Sequence, residues 1–153
     1  MKKAILLFSF FVSLLVFSSN ISAQKQIEQQ IQRDPILETD AKHNLEVAQQ
    51  YFVTKKAYRA VLLRFEETFA AYPQFSKMDE FLYYAGMSSY YLSENKGKQK
   101  LEKTANAAEK AKYAPEKMRE EAVAYLAQLV KDYPQSKFKA DAEKALKEIQ
   151  VKK

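Results

Sequence analysis

From Tyr58 to Tyr72 the apolar positions Tyr58, Val61, Leu62, Phe65, Phe69 and Tyr72 recur at steps of three and four, with Arg64, Glu66, Glu67 and Thr68 between them. This spacing matches the 3.6-residue period and predicts an amphipathic helix with the apolar stripe packed and the polar residues pointing away. Tyr72-Pro73 ends it, because the proline ring restricts the residue before it and cannot continue helical hydrogen bonding. The pattern returns once. A shift of 61 residues lays Val61 on Ala122, Phe65 on Leu126, Phe69 on Val130, Tyr72 on Tyr133 and Pro73 on Pro134. Recurrence of one supersecondary unit predicts a repeat architecture.

The flanking stretches supply the partner helices. Asp34-Pro35 is a helix start, an acidic N-cap with proline at the first helical position. Leu37, Ala41, Leu45, Ala48, Tyr51 and Phe52 then recur at helical spacing to about residue 54. The short connection Thr54–Ala57 makes this helix and the next an antiparallel hairpin. A third helix is predicted from about Met78 to Leu92, with bulky residues on more than one face. Gly86 lies in its middle, where glycine costs about 1 kcal/mol relative to alanine, so a close neighbouring helix is expected there. The second copy predicts a helix over Glu116–Asp132. Phe138, Ala142, Ala145, Leu146 and Ile149 predict a last helix from about Lys137, whose polar outer face suits a terminal cap. The fold class expected is all-α, two helical hairpin units plus a C-terminal capping helix.

Between the third helix and the second copy lies a charged insertion at about 94–115. From Glu94 to Glu120 there are eight Lys or Arg against five Glu, and the insertion has few large apolar residues besides Leu101 and Tyr113. It predicts a solvated, partly helical excursion of Ala, Lys and Glu. Its lysines Lys96, Lys98, Lys100 and Lys103 are a candidate basic arm for acidic envelope polymer or lipid headgroups.

Composition places the chain in the cell. Met1-Lys2-Lys3, an uncharged apolar run from Ala4 to Phe17, and Ser18 to Ala23 form the three-part layout of a secretory signal peptide, with cleavage expected after Ala23. The expected organisation is a signal peptide at 1–23, a polar lead-in at 24–35 and a helical domain at 36–150. The formal charge of +6 falls to +4 without Lys2 and Lys3. On an exported chain this charge serves solubility or attraction to acidic surfaces, and nucleic acid is not an expected partner.

Candidate chemistry is thin. The sequence has no cysteine, one histidine (His43) and two glycines. A cysteine nucleophile or metal site, a histidine pair for zinc and a glycine-rich phosphate loop are therefore excluded. Glu66-Glu67 and Glu120-Glu121 are adjacent on helices and diverge by about 100°, so neither pair is a natural acid/base couple. No catalytic residue, metal or cofactor is expected.

Ala48 and Tyr51, then Tyr58, Val61, Phe65 and Pro73, with Leu82, Gly86, Ala122, Leu126 and Pro134 in the second unit, resemble tetratricopeptide repeats. The chain departs from that pattern in one extra residue between Tyr51 and Tyr58, in the size of Val61, and in the insertion. With the export signal, Tyr-Pro-Gln at 72–74, Tyr-Pro-Gln-Ser at 133–136 and Ala-Asp-Ala-Glu-Lys-Ala-Leu at 140–146, it is similar to the BamD-like family over about residues 36 to 150. Members of that family are periplasmic tetratricopeptide proteins typified by the outer-membrane β-barrel assembly lipoprotein. This chain has no lipid-bearing cysteine, and two units where the typical member has more.

The resemblance implies a non-catalytic, periplasmic protein–protein interaction adaptor, associated with the outer membrane and acting in outer-membrane protein assembly or envelope maintenance. Its implied partners are other envelope proteins or peptide segments, the outer-membrane assembly machinery, or a second copy of the chain as a homo-oligomer. In the superfamily the first helix of each unit lines the binding groove. Carried across, this implies Lys42, Leu45, Gln49 and Phe52 in the first unit and Glu80, Tyr83, Met87, Tyr90 and Tyr91 in the second.

Overall fold

The Asp34 carboxylate accepts hydrogen bonds from the backbone N–H groups of Ile36 (2.8 Å) and Leu37 (3.3 Å), and Pro35 follows at the first helical position. Two otherwise unpaired N–H groups are thereby satisfied, and helix α1 (Pro35–Gln50) begins where the sequence places it. The computed structural model describes residues 33–99 and 105–151. The expected signal peptide, most of the lead-in, Leu101, Lys100 and Lys103 lie outside the described residues.

Helix α1 runs into one wide π-helical turn, Tyr51–Lys55, which Lys56 ends in the left-handed region at φ 49°. A π turn holds one more residue than an α turn. It absorbs the residue by which this chain exceeds the repeat between Tyr51 and Tyr58. Helix α2 (Tyr58–Ala71) follows, then α3 (Met78–Ser93), the short α4 (Ala107–Lys112), α5 (Pro115–Asp132) and α6 (Lys139–Val151). The described residues form no strand.

Cross-helix pairs fix the directions. Asn44 donates to Thr68 Oγ1 at 3.2 Å while Phe52 meets Tyr58, so α1 and α2 are antiparallel. Tyr58 meets Tyr91 and Phe65 meets Phe81, which runs α3 antiparallel to α2. Arg119 pairs with Glu94, and Ser136 beyond the end of α5 donates to Asp79 at the start of α3 (2.6 Å), closing the second hairpin. Arg119 also reaches the Ile149 carbonyl oxygen, setting α6 antiparallel to α5. The architecture is two hairpins, α1/α2 and α3/α5, and a final helix against the second.

One core runs through all five long helices: Ala41, Leu45 and Ala48 from α1, Val61, Leu62 and Phe65 from α2, Phe81, Leu82 and Ala85 from α3, Met118, Ala122, Leu126 and Leu129 from α5, and Ala142, Ala145 and Ile149 from α6. Gly86 faces Leu126 where α3 and α5 cross, which is the close approach that a mid-helix glycine requires. The α2 stripe differs from its prediction in one respect. Thr68, expected to point away, is buried against Asn44, whereas Phe69 lies at the rim, 40% exposed, with its ring against Phe65. The hydroxyl fits the interior because Asn44 supplies its hydrogen bond. Phe138, expected on the last helix, precedes it, and the Ser136 hydroxyl accepts its N–H at 3.2 Å.

The described part of the insertion folds back onto α2 instead of standing free. Lys98 N–H donates to the Lys56 carbonyl (3.0 Å), and the Gln99 side chain accepts the Ala60 N–H (3.1 Å). From α4, Glu109 pairs with Arg59 and Lys112 pairs with Glu66 at 2.7 Å. The Arg59 guanidinium also lies 4.4 Å from the centre of the Tyr113 ring, which is buried.

Candidate partner-binding face

Of the nine residues carried over as groove positions, seven are accessible at least in part. Lys42 is exposed, and Gln49, Phe52, Glu80, Tyr83, Met87 and Tyr91 are half-buried. Leu45 and Tyr90 are each 2% exposed and belong to the core, which corrects their assignment to a groove. Leu45 is closed in because α1 packs on both α2 and α3. Tyr90 is closed in because α6 lies over it, its hydroxyl donating to Glu148 Oε1 at 3.1 Å. Tyr83, two turns earlier, also faces the last element, stacked on Phe138 with ring centres 4.8 Å apart. Tyr90 is thus taken up by the last helix, whereas Tyr83 stays half-buried beside the residue that precedes it.

The accessible positions are joined by rings. Phe52, on the π turn, contacts Tyr58, Tyr84 and Tyr91 with centroids 5.6, 5.1 and 5.9 Å away. Tyr84 contacts Tyr83, and both contact Phe138. A half-buried aromatic strip thus crosses from the end of α1, over α3, to the residue preceding α6. Tyr84 and Phe138 were not among the sequence candidates. The signal for Tyr84 was present in the Tyr83-Tyr84 pair, whereas that for Phe138 depended on where α6 begins.

Polar groups edge the strip. Gln49 donates to Glu80 Oε1 at 2.5 Å, tying α1 to α3, and Lys137 lies 4.0 Å from the same carboxylate and 4.8 Å from the Phe138 ring centre. Burial pushes the Tyr83 hydroxyl above its ordinary pKa, with Asp141 adding to it. Burial does the same for Tyr84, Glu80 adding and the Gln49 hydrogen bond opposing. These hydroxyls are neutral across the physiological range and can both donate and accept. Large flat rings with a polar tip are the side chains that anchor protein partners, because they offer area at low entropic cost.

The basic candidates divide. Lys96 and Lys98 are exposed, beside the α1–α2 turn. His43 is exposed on α1 and lines a shallow cleft with Glu46, Val47, Gln49, Gln50 and Val53. Among the described residues, no group of three or more His, Asp or Glu side chains is placed to hold a metal ion. Among the same residues, no helix is long and apolar enough to cross a membrane.

A family model described as YfiO, outer membrane lipoprotein, matches residues 18–152. No curated protein and no solved structure matches the chain. The matched span takes in both Tyr-Pro hairpins, the insertion and the final helix. The chain belongs to the YfiO family of outer membrane lipoproteins, the BamD-like family whose tetratricopeptide pattern its sequence resembles.

Proposed function

We propose that this chain is a non-catalytic periplasmic adaptor that binds segments of other envelope proteins along the α1/α3 side, within outer-membrane protein assembly or envelope maintenance. The observation that carries this reading is the half-buried strip of Phe52, Tyr84, Tyr83 and Tyr91, edged by Gln49, Glu80 and Lys137, with half-buried Met87 one helical turn from both Tyr83 and Tyr91. An extended or helical peptide laid across it would bury ring area without displacing core side chains. Membership of an outer-membrane family favours an envelope partner. Export through residues 1–23 and an interaction domain at 36–150 are part of the same reading.

A photo-crosslinking side chain at Met87 tests it. Adducts with envelope proteins are expected from Met87 and lost when Tyr91 is changed to Ala in the same chain, with helicity retained. Equal adducts from Leu63, exposed on α2, or adducts indifferent to Tyr91, would overturn the reading. Adducts with a second copy would identify the partner surface as self-association.

A further inference from the structure

Two segments far apart in sequence meet at one end of the helical stack. The first is the turn from α1 to α2, where Lys55 and Lys56 are both exposed. The second is the loop after α3, where Lys96 and Lys98 are both exposed. They are joined by backbone, since Lys98 N–H donates to the Lys56 carbonyl at 3.0 Å. Gly97 makes the approach possible. At φ 106° it occupies a conformation that side chains avoid, and a Cβ there would lie 2.8 Å from the Tyr58 ring and 3.0 Å from the Lys56 oxygen. The juxtaposition is therefore built into the fold.

Among the described residues, no carboxylate forms an ion pair with any of these four lysines. The sequence has no Asp or Glu between Glu46 and Glu66, and Glu94 is paired with Arg119. Beneath them lie rings, with Lys55 Nζ 5.1 Å from the Tyr51 centroid and Lys96 Nζ 5.5 Å from that of Tyr91. Beside them Val53 is 67% exposed. Lysines over tyrosines with an exposed aliphatic side chain are the composition of a bilayer interface, where the amines meet phosphate and the rings sit at headgroup depth. A soluble acidic polymer would need only the amines.

We propose that Lys55, Lys56, Lys96 and Lys98 form one cationic surface that docks this domain on anionic phospholipid headgroups. A reversible electrostatic contact of this kind would hold the domain against a membrane surface, in keeping with its outer-membrane family. The surface borders the α1/α3 strip at Tyr91, but the lysine variants below leave Tyr91, Tyr83 and Met87 in place, so the two readings fail separately.

The test is co-sedimentation of the full chain with vesicles of phosphatidylcholine alone or mixed equally with phosphatidylglycerol. Binding to the anionic vesicles is expected, and it should weaken steeply with salt as the Debye length shortens. Each lysine removed should cost about fivefold, so Lys55→Ala with Lys98→Ala should weaken binding about 25-fold. Lys131→Ala with Lys147→Ala, the same charge change elsewhere, should weaken it by less than about twofold, with circular dichroism confirming the fold of both variants. Equal losses from the two pairs would reduce the effect to net charge and overturn the proposal. Equal binding to neutral vesicles would overturn it in favour of apolar contact. Competition by soluble polyglutamate at matched charge would overturn it in favour of an acidic polymer.

Discussion

Gly86 and Leu126 are packed so closely that a Cβ placed on Gly86 would lie 2.7 Å from Leu126 Cγ and 2.8 Å from Cδ2. Cγ is one bond from Cβ and cannot swing far, and Leu126 is fully buried. Helix propensity favours Ala at this position by about 1 kcal/mol, whereas overpacking costs about 1–3 kcal/mol, so Gly86→Ala should destabilise by up to about 2 kcal/mol. Chemical unfolding measures this. In a Leu126→Ala background the added methyl has room, and the sign should reverse. Independent, additive effects of the two changes would disprove the contact.

Tyr90 and Tyr91 are neighbours in sequence with different duties, and truncating each should separate them. Tyr90→Ala removes a buried ring that carries a hydrogen bond to α6, and should cost about 3–5 kcal/mol of stability. Tyr91→Ala takes away a half-buried ring and should cost clearly less. Tyr90→Phe, losing the hydroxyl that donates to Glu148, should cost about 1–2 kcal/mol, read as a lower urea midpoint.

The insertion should detach before the hairpins do. Arg59 holds α4 through Glu109 and stacks on Tyr113, yet its side chain is 20% exposed and that of Glu109 36%. Screening by water limits such a pair, so Arg59→Ala should lower global stability by only about 1 kcal/mol. Amide hydrogen exchange should nevertheless show protection lost over 107–112, with α3 and α5 unchanged. Uniform loss of protection across all helices would refute a separately held insertion.

Two groups between α2 and α5 give opposite ends of the pH scale. Burial raises the Glu121 carboxyl above its ordinary range, with Lys117 opposing and Glu66 adding. Its folded-state pKa exceeds its unfolded one, so the folded chain takes up the proton first and stability rises as pH falls through that window. Glu121→Gln should therefore raise the urea midpoint near neutral pH, with the gain vanishing in acid. Tyr125 is pushed up to about 12, by burial first and then by Glu121 and Glu66. The unfolded chain ionises it near the ordinary 10.0, so stability falls as pH rises from there towards 12. Ultraviolet titration should show a tyrosine step towards 12 that shrinks by one residue's amplitude in Tyr125→Phe.

What the sequence made legible follows from which forces are local. Periodicity, the Asp34 cap, the two Tyr-Pro stops and the mid-helix Gly86 are written in adjacent residues, and each marks an element or a contact that the structure contains. The burial of Leu45 and Tyr90 could not be read that way. Each depends on a helix arriving from elsewhere, α3 over one and α6 over the other. Thr68 and Phe69 changed places for a similar reason, since a hydroxyl becomes an interior group only where a distant Asn44 supplies a partner. The surplus residue before Tyr58 was visible in the sequence, but its resolution into a π turn was not, because that choice belongs to how α1 meets its neighbours.

The excursion between Ser93 and Pro115 has a kinetic meaning as well. Closing about 20 residues instead of about four costs roughly 1.5 kcal/mol more chain entropy, which must be met before α5 can settle on α3. The α1/α2 hairpin, closed by two residues after the π turn, bears no such burden. The first hairpin is thus the natural nucleus, on whose second helix the returning loop finds Arg59 and Glu66 already in position. Assembly of the chain is in this sense templated: the early half offers handholds that shorten the search of the late half.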